Sequence, residues 1–359
     1  MSSVNQLQIT NFRNFSEVSI TPCSGLNLIY GANGSGKTSL LEALHLLSTG
    51  KSFRSSLVEP LIKEGEKSAT VFCATRDQNR IGLTKPRNQK HQLRLNEENQ
   101  RNWDQVARLL PTQVLDATSF ELLEGGPKAR RRFMDWGVFH VEPGFLEHWR
   151  RASKSIANRN RLLKSGIPNT VELDAWDREL ASSARAIDEA RCAYLDELLP
   201  VFRGIYQELV GNAEKLRITY KRGWAEDSDL ESLLGANRET DLRYGATQSG
   251  PHRADLDIKL GSHRALEILS RGQEKLLVCA LKIAQGLVLT REIGRDCIYL
   301  VDDLPAELDP QNRQRVMSQL AATGAQLFVT SVEATSIELE TLSLPEVAKF
   351  HVERGIISE

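Results

Sequence analysis

The sequence lacks an excess of either charge: 46 Lys and Arg stand against 47 Asp and Glu in 359 residues, a formal net charge of -1. That excludes a globally basic chain that coats nucleic acid, so any polyanionic partner has to be met by a local patch. It also lacks an uninterrupted apolar run of the roughly 18 residues that a membrane span requires, since the run from Leu276 to Leu289 carries Lys282. The chain is expected to stay out of the membrane by itself. Its opening MSSVNQLQIT has neither the basic nor the apolar segment of a secretory leader, and its cysteines (Cys23, Cys73, Cys192, Cys279, Cys297) form no Cys-x-x-Cys spacing. A reducing, cytosolic setting without structural zinc is the expectation. No internal repeat or low-complexity tract is visible.

What is present is a globular composition, 40% hydrophobic and 26% charged. The length allows about two or three domains, or one core with a large insertion. Alternation at Leu7 and Ile9, then Val18 and Ile20, predicts strands, and Leu26 to Tyr30 is a short apolar run stopped by glycine. Leu40, Leu41, Leu44 and Leu47 follow with helical spacing. Thr70 to Leu95 predicts further short strands. In the middle, Phe145, Trp149, Ala152 and Ile156 form one helical stripe. The Ser165 to Thr170 loop breaks it, and Leu173, Trp176, Leu180, Ile187, Tyr194 and Leu198 form a second stripe. The pair predicts a compact antiparallel helical arm, too short and irregular for a long coiled coil. Another helix beyond Pro200, a strand near Leu216 to Tyr220 and a turn-rich stretch to Pro251 come next, and strand and helix signals alternate again from Asp255.

Between a predicted strand and a predicted helix, Gly31-Ala32-Asn33-Gly34-Ser35-Gly36-Lys37-Thr38 fits the phosphate-loop pattern G-x-x-x-x-G-K-[ST]. Its backbone N–H groups would curl around phosphates, Lys37 would reach the β- and γ-phosphates, and the Thr38 hydroxyl would ligate Mg²⁺. Cys297 to Val301 reads as a buried strand delivering Asp302 and Asp303 to a sheet edge. Asp302 would join the Mg²⁺ shell and Asp303 would polarise the attacking water.

Ser270-Arg271-Gly272-Gln273 precedes a helix with Leu276, Leu277, Ala280, Leu281 and Ala284 on its stripe, 32 residues before Asp302. Ser270 with Gln273 is a capping box, and the same serine with the free N–H groups of that helix is also an anion site suited to a γ-phosphate. Asp309-Pro310 is an N-cap pair that also fits a nucleotide-side role. Thr330-Ser331 ends an apolar strand where a γ-phosphate sensor would sit. Gln113, after Leu109-Leu110-Pro111, is a candidate link between nucleotide, metal and helical arm.

Together these segments resemble the head of an ABC-type ATPase. The opening LQITNFRNF is similar to the chromosome-maintenance and repair branch of that superfamily. Gly126-Pro127-Lys128-Ala129-Arg130-Arg131-Arg132-Phe133-Met134-Asp135 and Gly250-Pro251-His252-Arg253-Ala254-Asp255 narrow the resemblance to the RecF family.

The resemblance implies an α/β fold: an ABC-type P-loop ATPase head, a mixed or parallel sheet flanked by helices, with an inserted, mainly helical arm domain. The expected division is 1–135 for the N-terminal lobe, 136–245 for the arm, and 246–359 for the C-terminal part of the head. It further implies a bacterial, cytoplasmic and nucleoid-associated ATPase with ATP and Mg²⁺ as cofactors. Such a protein dimerises on ATP, binds DNA at gaps or single-strand/duplex junctions, and acts with RecR and RecO to load RecA. ATP would lie between Lys37, Thr38 and Asp302 of one protomer and Ser270 of the other, with Gly272 and Gln273 also expected to bind nucleotide. Two readings from other classes stay open: the ATP-binding subunit of a membrane transporter, and a nucleotide-gated module that does not hydrolyse.

Arg271 replaces the glycine usual in transporter signatures, Thr330-Ser331 lacks their histidine, and Asp303 stands where many relatives use glutamate. A base one methylene shorter implies slow turnover, a timer or clamp more than a motor. For DNA, residues 85 to 165 hold 16 Lys or Arg and 9 Asp or Glu, about +7. The candidate contacts are Lys128, Arg130, Arg131, Arg132, Arg150 and Arg151, with Lys154, Arg159, Arg161 and Lys164 in the same cluster.

Overall fold

The computed structural model describes residues 3–359 except 56, 58, 167–169 and 212–214, with the side chains of 305 and 306 also left aside. Two compact units emerge. The first comprises Met1–Phe120, Gly204–Gly211 and Arg271–Glu359, and the second comprises Glu121–Arg203 and Asn212–Ser270. Of the loop expected from Ser165 to Thr170, residues 167–169 lie outside the described residues.

Up to Leu115 the strands are β1 (Val4–Phe12), β2 (Phe15–Ile20), β3 (Leu26–Tyr30), β4 (Ser68–Thr75), β5 (Arg80–Pro86), β6 (Gln92–Leu95), β7 (Glu98–Gln100) and β8 (Thr112–Leu115). Then come β9 (Leu216–Lys221), β10 (Asp255–Leu260), β11 (His263–Arg264), β12 (Ile298–Val301), β13 (Leu327–Ser331), β14 (Val347–Glu353) and β15 (Ile356–Ser358).

The first unit holds two six-stranded sheets. One is antiparallel, in the order β2-β1-β4-β5-β6-β7, and pairs Leu7 with Ile20 and Ile9 with Val18, so the alternating apolar residues share one face. The other has the order β15-β14-β3-β13-β12-β8, with every neighbour parallel except β15. Strands β8, β12 and β13 are buried along their whole length, as expected when both faces of a parallel sheet are covered. Helix Lys37–Thr49 serves both sheets. Its Leu40, Leu41, Leu44 and Leu47 share one hydrophobic cluster with Leu7 and Ile9 of β1 and with Ile29, Leu300 and Phe328 of the parallel sheet. Helix Arg271–Ile293 buries Leu276, Leu277, Ala280, Leu281 and Ala284, the stripe the spacing predicts. No helix among the described residues is long and apolar enough to cross a membrane.

The second unit is mainly helical, with a small antiparallel sheet in the order β11-β10-β9. Helix Phe145–Lys164 buries Phe145, Ala152, Ser155, Arg159 and Leu163. The expected stripe is therefore corrected at Trp149, which is 43% exposed. The buried face follows the 7, 3, 4, 4 spacing through a charged residue that hydrophobicity cannot flag. The next helix, Thr170–Val210, runs unbroken through Pro200, where a new helix was expected. Leu198, Phe202, Ile205 and Leu209 stay buried across that position, so packing outweighs the lost backbone hydrogen bond.

Arg159 is the hub of this unit. Fully buried, it donates to Asp177 Oδ1 at 2.6 Å, to Asp241 Oδ2 at 2.6 Å and to the Thr247 hydroxyl at 3.0 Å. Arg159→Met would remove the buried cation that bridges Asp177 and Asp241, leaving Asp177 only its second partner, Arg238, at 3.0 Å. It is expected to cost about 3–5 kcal/mol in equilibrium urea unfolding, and a loss below about 1 kcal/mol would refute the hub.

Candidate nucleotide site

The turn from β3 into helix Lys37–Thr49 demands glycine at its start. Gly31 has φ +149°, and a Cβ there would lie 2.2 Å from the Val352 carbonyl oxygen on the neighbouring strand. The Asn14 side chain donates to the Ser35 carbonyl at 2.7 Å and so clamps the loop from β1's hairpin. Lys37 is nearly buried and folds back across the loop, its Nζ donating to the carbonyls of Gly31 at 2.7 Å and Ala32 at 3.0 Å. Burial lowers the pKa of this ammonium, while Asp303 and Asp302 pull it upward. The Ser35 hydroxyl is buried and has no partner among the described residues. An orphaned donor within a ring of loop amides fits a phosphate oxygen.

Asp302 follows β12 and receives two hydroxyls on one oxygen: Thr38 at 2.9 Å and Thr330 at 2.8 Å, both to Oδ1. Burial raises its pKa, the Thr330 and Thr38 hydrogen bonds lower it, and the charges of Asp116 and Asp303 raise it again. A hydroxyl beside a carboxylate is an oxygen donor set suited to Mg²⁺. Thr38 and Asp302 would hold such an ion, which would neutralise charge on the β- and γ-phosphates when bound. Asp303 has the left-handed φ of +51° and lines the cleft with Lys37, Thr38 and Thr330. The cleft is about 650 Å³.

Several residues of this cleft escape sequence reasoning. Arg13 and Arg54 line it beside Asn14, and Arg13 is held bidentately by the fully buried Glu42, at 2.8 and 2.5 Å. Glu42 lies inside the apolar helix pattern, where no spacing rule marks it. Asp116 stands next to Asp302 because β8 and β12 run parallel and Asp302 N–H donates to Leu115 O at 2.8 Å. In sequence it is one acidic residue after a short strand, and the only available signal is the apolar pair Val114-Leu115 before it.

Other expected residues lie elsewhere. Gln113 is turned away from the cleft: its amide donates to Gln285 Oε1 at 2.9 Å and both side chains are buried. The alternation of β8 sends Thr112 to Ser48 on helix Lys37–Thr49, at 2.7 Å, and Gln113 to the opposite face, which accounts for the departure from the expected metal and nucleotide role. Gly272 and Gln273 begin helix Arg271–Ile293 without lining the cleft, and Ser270 just before them is exposed. Asp309 caps helix Pro310–Ala322, accepting Asn312 N–H at 3.0 Å.

The basic candidates divide. Arg130 forms a bidentate pair with Asp255 at 2.7 and 3.0 Å, Arg131 donates to Ala254 O at 2.7 Å, and Arg191 joins Asp135 to Pro251 O. The two motifs that suggested the family are thus bonded to each other within the second unit. Arg159 is internal, which removes it from the expected DNA-contact cluster. Arg151 pairs with Glu147 at 3.1 Å. Lys128, Arg132, Arg150, Lys154, Arg161 and Lys164 are exposed.

A phosphate loop and an acidic strand end at one edge of a parallel sheet, with an antiparallel sheet packed on the same helix, define an ABC-type ATPase head. The RecF/RecN/SMC N-terminal domain family matches residues 3–349. The chain is 44% identical over 361 aligned positions to the DNA replication and repair protein RecF of Pseudomonas syringae pv. syringae, covering 99% of this chain and 98% of that one. It belongs to the RecF family. Among solved structures, the recombination mediator protein RecF with ATP in the RecFOR pathway superposes with a TM-score of 0.86 at 26% identity, covering 99% and 96% of the two chains. A Pyrococcus furiosus Smc head bound to the C-terminal domain of ScpA shares the fold, with a TM-score of 0.60 at 16% identity and coverage of 99% and 95%.

Because folding raises the Asp302 pKa, its contribution to stability is fully present below the ordinary Asp value and is lost as pH rises through the raised one. Asp302→Asn keeps an acceptor for both hydroxyls without the charge. It is expected to raise the melting temperature of nucleotide-free protein at neutral pH, with the gain vanishing as pH falls toward about 3.9. Equal melting at neutral pH would contradict the burial cost.

Proposed function

We propose that the chain is a slow ATPase clamp of recombinational DNA repair and replication restart. The observation that carries the reading is the convergence of Lys37, Thr38 and Asp303 on one cleft at the end of the parallel sheet, with Asp302 bonded to the Thr38 hydroxyl. ATP binds with its phosphates in the loop from Gly31 to Thr38. Lys37 leaves the Gly31 and Ala32 carbonyls for the β- and γ-phosphates, and Thr38 and Asp302 hold Mg²⁺. Asp303 accepts the proton of the attacking water. Ser270, Gly272 and Gln273 of a second copy close the γ-phosphate side, so that nucleotide becomes part of a dimer interface, and Asp309 supports that edge.

The family relationship supports the rest of the reading. The dimer binds gapped DNA or single-strand/duplex junctions and acts with RecO and RecR to promote RecA loading, and hydrolysis resets it. Lys128, Arg132, Arg150 and Arg151 are the proposed backbone contacts. Arg130 and Arg131 are committed to Asp255 and Ala254, and their role is to shape that surface. Contacts of this type neutralise phosphates without reading sequence, so DNA affinity falls as salt rises.

Sedimentation with Mg²⁺-ATP, with and without gapped DNA, tests the clamp. Wild type is expected to become dimeric and DNA-bound while Lys37→Met and Ser270→Arg remain monomeric; a wild type that stays monomeric and ignores DNA sinks it. Asp303→Asn is expected to slow turnover by about 100-fold or more, and unchanged hydrolysis would overturn its assignment as the base.

A further inference from the structure

Thr330 is the penultimate residue of β13 and has no exposed surface, and its hydroxyl lies between two consecutive residues of the adjacent strand end. It donates to Asp302 Oδ1 at 2.8 Å and accepts the Asp303 N–H at 2.9 Å. The partners fix these roles, because an amide N–H only donates, an ionised carboxylate only accepts, and a hydroxyl has one proton to give. The amide it captures belongs to a non-glycine residue at φ +51°, a backbone state that persists only where its surroundings hold it. Ser331, equally buried, spends its hydroxyl on the nearby Glu333 O, a local turn contact. Of the pair expected to sense a γ-phosphate, only Thr330 is wired to the acidic strand end.

We propose that Thr330 is a positioning residue for hydrolysis: one hydroxyl sets both the orientation of the carboxylate that holds Mg²⁺ and the turn that presents Asp303 to the attacking water. The proposal rests on the ATPase reading above. Thr38 shares Oδ1 with Thr330, and on that reading its hydroxyl turns to Mg²⁺ when nucleotide binds. Thr330 then keeps Oδ1 in place and the Asp303 turn closed, which no apolar side chain of the same shape can do. Valine would fill the same buried volume and suit β13 as well, so packing alone does not call for a hydroxyl here.

The test compares Thr330→Val, Thr330→Ala and Thr330→Ser by labelled-ATP binding at graded Mg²⁺ and by steady-state hydrolysis. In EDTA all three are expected to bind ATP as wild type does, because Lys37 and its loop are untouched. Thr330→Val and Thr330→Ala should need about 10–100-fold more Mg²⁺ for the metal-dependent gain in binding and lose about 10–100-fold in kcat, with KM for ATP changed less than about threefold. Thr330→Ser should recover both. A Val or Ala variant matching wild type in Mg²⁺ midpoint and kcat overturns the proposal, as does a Ser variant as impaired as Val, since that would make bulk the requirement. Melting of nucleotide-free protein checks the fold of Thr330→Val, and Thr330→Ala carries the same test should valine not fit. If wild type hydrolyses no ATP, the ATPase reading fails by itself, while the Mg²⁺ midpoint of binding still decides the role of Thr330.

Discussion

The carboxyl edge of the parallel sheet is organised around one buried carboxylate. Asp302 is bonded to the start of helix Lys37–Thr49 through Thr38, to β13 through Thr330 and to β8 through its own amide. Those bonds require the strand ends to be level, and the register makes them so: Ser331 pairs with Tyr30, Val329 with Val301, and Val301 with Leu115. Gly31, Asp302 and Asp116 each follow directly from one of these paired ends. A slip of one residue in β12 would reverse its side chains between faces and remove Asp302 from both hydroxyls. The flanking cores, Leu40 to Leu47 on one side and Leu276 to Ala284 on the other, hold that register.

This arrangement opposes folding locally. Three carboxylates, Asp116, Asp302 and Asp303, stand close enough to raise the proton affinity of Asp302, and Lys37 is itself partly desolvated. A core optimised for stability alone would not gather them. Part of the cost is offset by hydroxyl and amide donors around two of the carboxylates: Thr38 and Thr330 on Asp302, and Ser119 N–H at 2.9 Å and the Thr118 hydroxyl at 3.0 Å on Asp116. The Ser35 hydroxyl of the neighbouring loop stays buried without a partner among the described residues.

The sequence was most legible where period and chemistry agree. Leu7, Ile9, Val18 and Ile20 face one core as their alternation predicts, and the phosphate loop could be placed because its glycines fall between a strand run and a helix run. Legibility failed where long-range partners decide. Asp116 becomes a neighbour of Asp302 through parallel pairing across 186 positions, which no local pattern encodes. Glu42 is unremarkable until Arg13 closes on it from the turn between β1 and β2. Gln113 is singled out by its place after Leu109-Leu110-Pro111, but which face of β8 it occupies depends on register. Pro200 misled in the opposite direction, a strong local stop overridden by burial on both sides of it.

Charge shows the same limit and also its remedy. The excess of about +7 over residues 85 to 165 counts Arg130, Arg131 and Arg159, all satisfied internally, so a local sum overstates what solvent or DNA would meet. Helical phase sorts the remainder better. In helix Phe145–Lys164, Arg150, Lys154, Arg161 and Lys164 follow spacings of 4, 7 and 3 and lie on one face, while Phe145, Ala152, Ser155, Arg159 and Leu163 occupy the opposite one. At 1.5 Å per residue the basic row extends about 21 Å. The one arginine of this helix that lies on the buried face is the one that organises the unit. An arginine's place on the turn, more than the density of charge around it, separates a side chain that builds the fold from one that faces solvent.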